Sequence, residues 1–149
     1  VPIDRASPDL TVTLPLDIDA PRAARHHVRQ VDRPSPDLRD LVVLLSSELV
    51  THAVERARGG TIELRVWMPS DVVRVEVRGR PGTIVRAPGE LEMYSPELLD
   101  RIADRWDLES EGPVAAIWFE IDRHEGPQPT YPFAGREPAA AAHSGNRAR

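Results

Sequence analysis

Glu48 and His52 stand four residues apart in the segment Ser47-Glu-Leu-Val-Thr-His-Ala-Val54. At about 100° per residue on a helix, His52 falls within the apolar stripe Leu38, Leu41, Leu45 and Leu49, and Glu48 lies at its margin. A carboxylate and an imidazole at i, i+4 can share a proton. On an apolar face such a pair has two readings. It is a buried hydrogen-bonded pair, or it floors a pocket between helix and sheet.

Other chemistries are excluded by residue type. There is no Cys, so thiol nucleophiles, thiolate metal sites and disulfides are out. All 19 basic residues are Arg, which removes a P-loop or Schiff-base lysine. The one Asn is Asn146, near the C-terminal end, so no asparagine ligand is expected inside the folded body. No Gly-x-Gly and no Gly-x-Ser-x-Gly occurs, so neither a dinucleotide fingerprint nor a nucleophile elbow is present. His26 and His27 are adjacent and splay to different sides of a helix, His124 and His143 lie near the end, and none has metal-ligand spacing. The expectation is therefore no metal site.

The elements that must position Glu48 and His52 follow from patterning. Leu10–Leu16 alternates at period two and reads as an edge strand because of Pro15. Asp19-Ala-Pro21 starts a helix running to about Val31, with Asp19 as its capping carboxylate. Ser35 or Asp37 caps a second helix, which Gly59-Gly60 stops after Arg58. Its second stripe, Val43, Val50 and Val54, lies opposite the first, so the helix is sandwiched between neighbours. Residues 61–68 and 72–78 alternate Ile, Leu and Val with Glu and Arg, as an antiparallel hairpin with one apolar and one solvated, charged face. Residues 79–94 read as a loop, and 96–105 as a third helix capped by Ser95. Strands at 106–109 and 114–121 flank a Gly112-Pro113 turn.

The sum is an α+β, two-layer α/β sandwich: helices on one face of a mixed, largely antiparallel sheet, the other face wet. The domain spans 10–123, after a ragged start at 1–9 and before a disordered Pro- and Ala-rich tail at 124–149. The length of 149 residues suits one such domain. A net charge of −5 argues against a nucleic-acid partner. No apolar run approaches the roughly 20 residues of a membrane span, and the first residues lack the apolar stretch of a signal peptide. A cytoplasmic protein with no membrane partner is the expectation.

Ser-Glu-Leu-Val-Thr-His-Ala-Val-Glu-Arg-Ala (47–57) is similar to the N-box of the histidine-kinase-like ATPases (GHKL, or Bergerat fold). The nearest group is the anti-sigma-factor serine kinases of actinobacterial type. Four more segments resemble that family in order: 20–29 its first helix, 72–78 the strand before its adenine loop, 99–106 a helix ending at a Trp, and 116–121 its last strand. Together they cover about 12–122.

The resemblance implies a fold that holds Mg-ATP between helices and sheet. Glu48 matches the family's general base. The magnesium-binding Asn position is His52, although Mg²⁺ prefers oxygen ligands. The adenine-binding Asp position is Gly79, followed by the partly similar Arg80-Pro81-Gly82. The glycine phosphate segment aligns with Met93-Tyr94-Ser95-Pro96, where both glycines are missing and Glu97 follows. His52, Gly79, Gly82 and Ser95 thus mark an ATP pocket whose ligands are gone. The implied function is a regulatory protein-binding module with no cofactor, its partner a sigma factor or an anti-anti-sigma-like protein, with a homodimer left open. The alternative is an active ATP-dependent anti-sigma serine/threonine kinase with a divergent site for ATP and Mg.

Overall fold

A computed structural model describes residues 7–31, 36–84 and 97–123. In chain order the elements are β1 (Leu10–Pro15), α1 (Ala20–Arg29), α2 (Pro36–Arg56), β2 (Thr61–Trp67), β3 (Val72–Gly79), α3 (Pro81–Ile84), α4 (Glu97–Ile102), β4 (Arg105–Glu111) and β5 (Val114–Asp122). The five strands form one sheet in the order β1-β2-β3-β5-β4. Every pairing is antiparallel, so the parallel component that a mixed sheet would carry is absent among the described strands. The helices pack on one face, and the chain is an α+β two-layer sandwich. The expected tail at 124–149, most of the ragged start and the Ser35 cap lie outside the described residues.

Alternation decides the core. The inward residues Leu64 and Val66 of β2, Val73, Val75 and Val77 of β3, and Ile117 and Phe119 of β5 are all buried. Onto them α2 lays Val42, Val43, Leu45, Leu49, Val50 and Ala53, and α1 adds Ala20, Ala24 and Val28. Each large side chain fully removed from water contributes about 1.5–3 kcal/mol. Among the described residues one polar group lies in this layer: Ser46 has no exposed surface, and its hydroxyl has no hydrogen-bond partner there. Gly59 and Gly60, at φ of 93° and 95°, turn the chain from α2 into β2 through a region that side chains disfavour.

Several expectations are corrected. Asp19 makes no side-chain cap; its own amide instead donates to Asp17 Oδ1 at 2.9 Å. The stretch read as a loop from 79 begins as the last residue of β3 and continues into the single turn α3, where Ile84 N donates to the Arg80 carbonyl at 3.1 Å. The third helix ends at Ile102, short of 105, because the sheet takes the next residues. Asp104 N donates to the Glu120 carbonyl at 2.9 Å, and the Arg105 guanidinium reaches Glu120 and Asp122.

The face expected to be wet is closed by its own side chains. Trp67, Glu76, Trp118 and Glu120 are each under 10% exposed. Arg74 lies over the Trp118 ring, 4.2 Å from its centroid, and pairs with Glu76 at 3.3 Å and Glu120 at 3.1 Å. Arg105 pairs with Glu120 at 2.8 Å and with Asp122. The hydrogen bond to Asp122 is the main reason that the Arg105 guanidinium holds its proton even more firmly than a free arginine. These charges pair along the strands and between β3 and β5.

Candidate functional site

The Glu48–His52 pair forms. His52 Nε2 lies 3.1 Å from Glu48 Oε2, and its Nδ1 lies 3.7 Å from Glu55 Oε1. The helix is rotated from the expected arrangement. Leu41 and Leu44 are 37% and 43% exposed, and they share a side with Glu48 and Glu55 by three- and four-residue steps. The core-facing arc runs through Val42, Val43, Leu45, Ser46, Leu49, Val50 and Ala53. His52 therefore stands on the rim of the apolar surface, its side chain 26% exposed, and Glu48 is 41% exposed. Of the two readings, the fully buried pair is excluded. The physical reason is that five consecutive apolar residues, Leu41 to Leu45, cannot all face one way, and the pattern alone does not select which of them turn out.

Gly79 ends β3 opposite Ala115 and is half-buried. A Cβ there would stand 3.2 Å from Ile62 Cγ2 and 3.5 Å from two atoms of Ile84. Ile84 is 3% exposed, and its carbonyl accepts from Arg56 Nη1 at 3.0 Å. The turn α3 thus folds back over the end of β3 and is tied to the end of α2. Where the resemblance places an adenine-binding carboxylate, a side chain would begin in contact with two isoleucines, tightly against Ile62. This plug was missed in the sequence because Ile84 sits among Gly, Pro and Arg with no periodicity to mark it.

Gly82 is exposed in α3, and a Cβ on it would meet nothing within 4 Å. Ser95, with the rest of Met93–Pro96, lies outside the described residues. No group of three or more His, Asp or Glu among the described residues can hold a metal ion. No described helix is long and apolar enough to cross a membrane. The structure therefore brings together Glu48 with His52, and separately Gly79 with Ile62 and Ile84.

No family model and no curated protein matches this chain.

A groove of about 620 Å³ lies on the opposite face of the sheet, lined among others by Arg65, Trp67, Arg78, Glu109 and Ala116. Several of its charged groups are engaged by neighbours: Arg65 by Glu63 at 2.7 Å, Arg78 by Glu76 at 3.4 Å, and Glu109 by Trp118 Nε1, which donates to it at 3.0 Å. This ladder was illegible in local sequence because Arg74 meets Glu120 only once β3 and β5 pair, 46 residues apart.

Proposed function

We propose that this chain is a regulatory protein-binding module of the histidine-kinase-like ATPase fold, related to the anti-sigma-factor serine kinases, in which the nucleotide site has been lost. The packing over Gly79 carries the reading. Adenine recognition in such a site needs a carboxylate and space for a flat ring. Here a Cβ at residue 79 would already stand 3.2 Å from Ile62 and 3.5 Å from Ile84, which supports a crowded, apolar site. The magnesium position offers His52, already 3.1 Å from Glu48. A hydrogen bond to a charged group contributes about 1.5–3 kcal/mol. Loss of the adenine, magnesium and phosphate ligands together moves a micromolar site to the millimolar range or beyond.

The fold then persists as a recognition scaffold in the cytoplasm. A sigma factor or an anti-anti-sigma-like protein is the proposed class of partner, and it rests on the resemblance alone. A second reading, a divergent ATP-dependent serine/threonine kinase, draws support from one observation. Glu48 is 41% exposed and thus accessible to an incoming hydroxyl.

Titration calorimetry with Mg-ATP and Mg-ADP separates the two. The expected result is no saturable binding below about 1 mM, where a free energy of only about −4.1 kcal/mol is available. Magnesium-dependent binding in the micromolar range, or phosphate transfer to a serine of a partner, overturns the proposal. In that event Glu48→Gln abolishes transfer and leaves nucleotide binding intact, because the base acts on the attacking hydroxyl.

A further inference from the structure

α1, α3, α4 and β3 pack against α2, and one row of α2 side chains still faces water. The row is Asp37, Leu41, Leu44, Glu48, Thr51 and Glu55, so its steps alternate between four and three residues. Steps that average about 3.5 residues keep it nearly straight along about 27 Å of helix, the geometry of a seam between two packed helices. At its centre Leu41 and Leu44 are 37% and 43% exposed, an apolar pair one helical turn apart. Thr51 turns its hydroxyl back to the Ser47 carbonyl at 2.8 Å and so asks for no polar partner.

The rest of the row is acidic. Asp37, Glu48 and Glu55 lie on it, and Asp40 flanks the leucines. Among the described residues none of these four carboxylates pairs with an arginine; Glu48 and Glu55 share His52, at 3.1 and 3.7 Å. The arginines of α2 are placed elsewhere. Arg39 lies about 160° round the helix from Leu41, and Arg56 donates to the Ile84 carbonyl at 3.0 Å. The outer face of the sheet is the reverse case, since Arg65, Arg74, Arg78 and Arg105 each hold a carboxylate there.

We propose that this row docks a basic amphipathic helix of a partner protein, with apolar residues against Leu41 and Leu44 and Lys or Arg side chains against Asp37, Asp40, Glu48 and Glu55. The inference rests on the reading of the chain as a protein-binding module and adds the partner's chemistry. Spacing selects a helix. The row repeats about every 5.3 Å, whereas an extended segment presents like-facing residues about 6.8 Å apart and falls out of step. A helix with its own 3.5-residue repeat stays in register along the whole row. Charge selects a basic partner. It also disfavours a second copy, which would set the carboxylates of one α2 against those of the other. One helix laid on another buries less than about 1,200 Å², so the complex is transient.

Fluorescence anisotropy with the full chain tests the proposal. The probe is a labelled helical peptide of about 18 residues, with a leucine pair at i, i+3 and lysines at the flanking seam positions. The control peptide has glutamates for the lysines. The expected result is saturable binding of the lysine peptide in the range of tens to hundreds of micromolar, as suits a small interface. The glutamate peptide should bind at least about tenfold more weakly, and salt should weaken the lysine peptide. Leu44→Asp should lower affinity at least about tenfold, as for an anchor residue, with an unchanged circular dichroism spectrum. Asp40→Lys with Glu55→Lys, both at exposed positions, should exchange the preference between the two peptides. Asp71→Lys with Glu111→Lys, the same change of charge placed elsewhere, should leave it as it was. Equal binding of both peptides, or a preference that survives the Asp40/Glu55 reversal, overturns the proposal. So does self-association that Leu44→Asp abolishes while no peptide binds, which gives the face to a second copy. Binding seen only after residues 85–96 are exchanged for a Gly/Ser linker gives the face to that segment and overturns it as well. Absence of peptide binding in a chain that also ignores Mg-ATP overturns this inference alone, whereas micromolar Mg-ATP binding overturns the reading beneath it.

Discussion

Gly79→Asp restores the residue type that the resemblance would place at the adenine contact, and the structure states what it meets there. The new Cβ stands 3.2 Å from Ile62 Cγ2, closer than such contacts normally run, and 3.5 Å from Ile84. The carboxylate is attached to that Cβ, beside two buried aliphatic side chains. A polar group left unsatisfied there costs about 1–3 kcal/mol, more if it stays charged. The displaced isoleucine contacts add roughly 1 kcal/mol, as overpacking does. A loss of about 2–3 kcal/mol is expected, equivalent at roughly 4–8 °C per kcal/mol to a melting temperature about 10–20 °C lower. Thermal unfolding followed by circular dichroism measures it, with urea unfolding to extract the free energy.

Ile84→Ala on its own opens a cavity and costs about 2–5 kcal/mol. In the double variant the carboxylate gains the room that Ile84 filled. The two losses should then fall short of their sum by about 0.5 kcal/mol or more, as for residues in contact. Neither variant gains micromolar affinity for Mg-ATP, and adding His52→Asn does not change that. A Gly79→Asp protein as stable as the parent, within about 0.5 kcal/mol, would show that the space above residue 79 is open. The central argument for a lost nucleotide site would then fail.

Three further outcomes follow from the core and the outer face. Leu45, with no exposed surface, should lose about 2–5 kcal/mol on change to Ala, read as a drop in the urea midpoint. Ser46→Ala removes a buried hydroxyl that has no partner among the described residues; the variant should be as stable as the parent or more so by up to about 1–3 kcal/mol, and a clear destabilisation would show that the hydroxyl is satisfied. Glu120→Gln takes one charge from between Arg74 and Arg105, while Glu76 and Asp122 still hold those arginines; the loss should be about 1–3 kcal/mol, and it should shrink in high salt only modestly because the group is 9% exposed.

Local chemistry made much of this chain legible. Alternation in 61–66 and 73–78 marks strands with one apolar face, and Gly59-Gly60 marks the end of a helix, so those elements and their inward residues follow from composition at each position. Glu48 and His52 were placed together by a spacing that any helix enforces. What local pattern does not contain is which way an over-apolar helix rolls. Between Leu41 and Leu45 the sequence offers five equivalent apolar residues, and only the packing of α1 and the sheet against α2 buried Val42, Val43 and Leu45 and left Leu41 and Leu44 half in water. The same holds for the plug and the ladder. Ile84 closes over Gly79 because α3 is tied to Arg56, 28 residues earlier. Arg74 finds Glu120 because β5 returns beside β3. Contacts between residues that distant depend on the route of the chain between them, a property of the whole fold that no local window of residues carries.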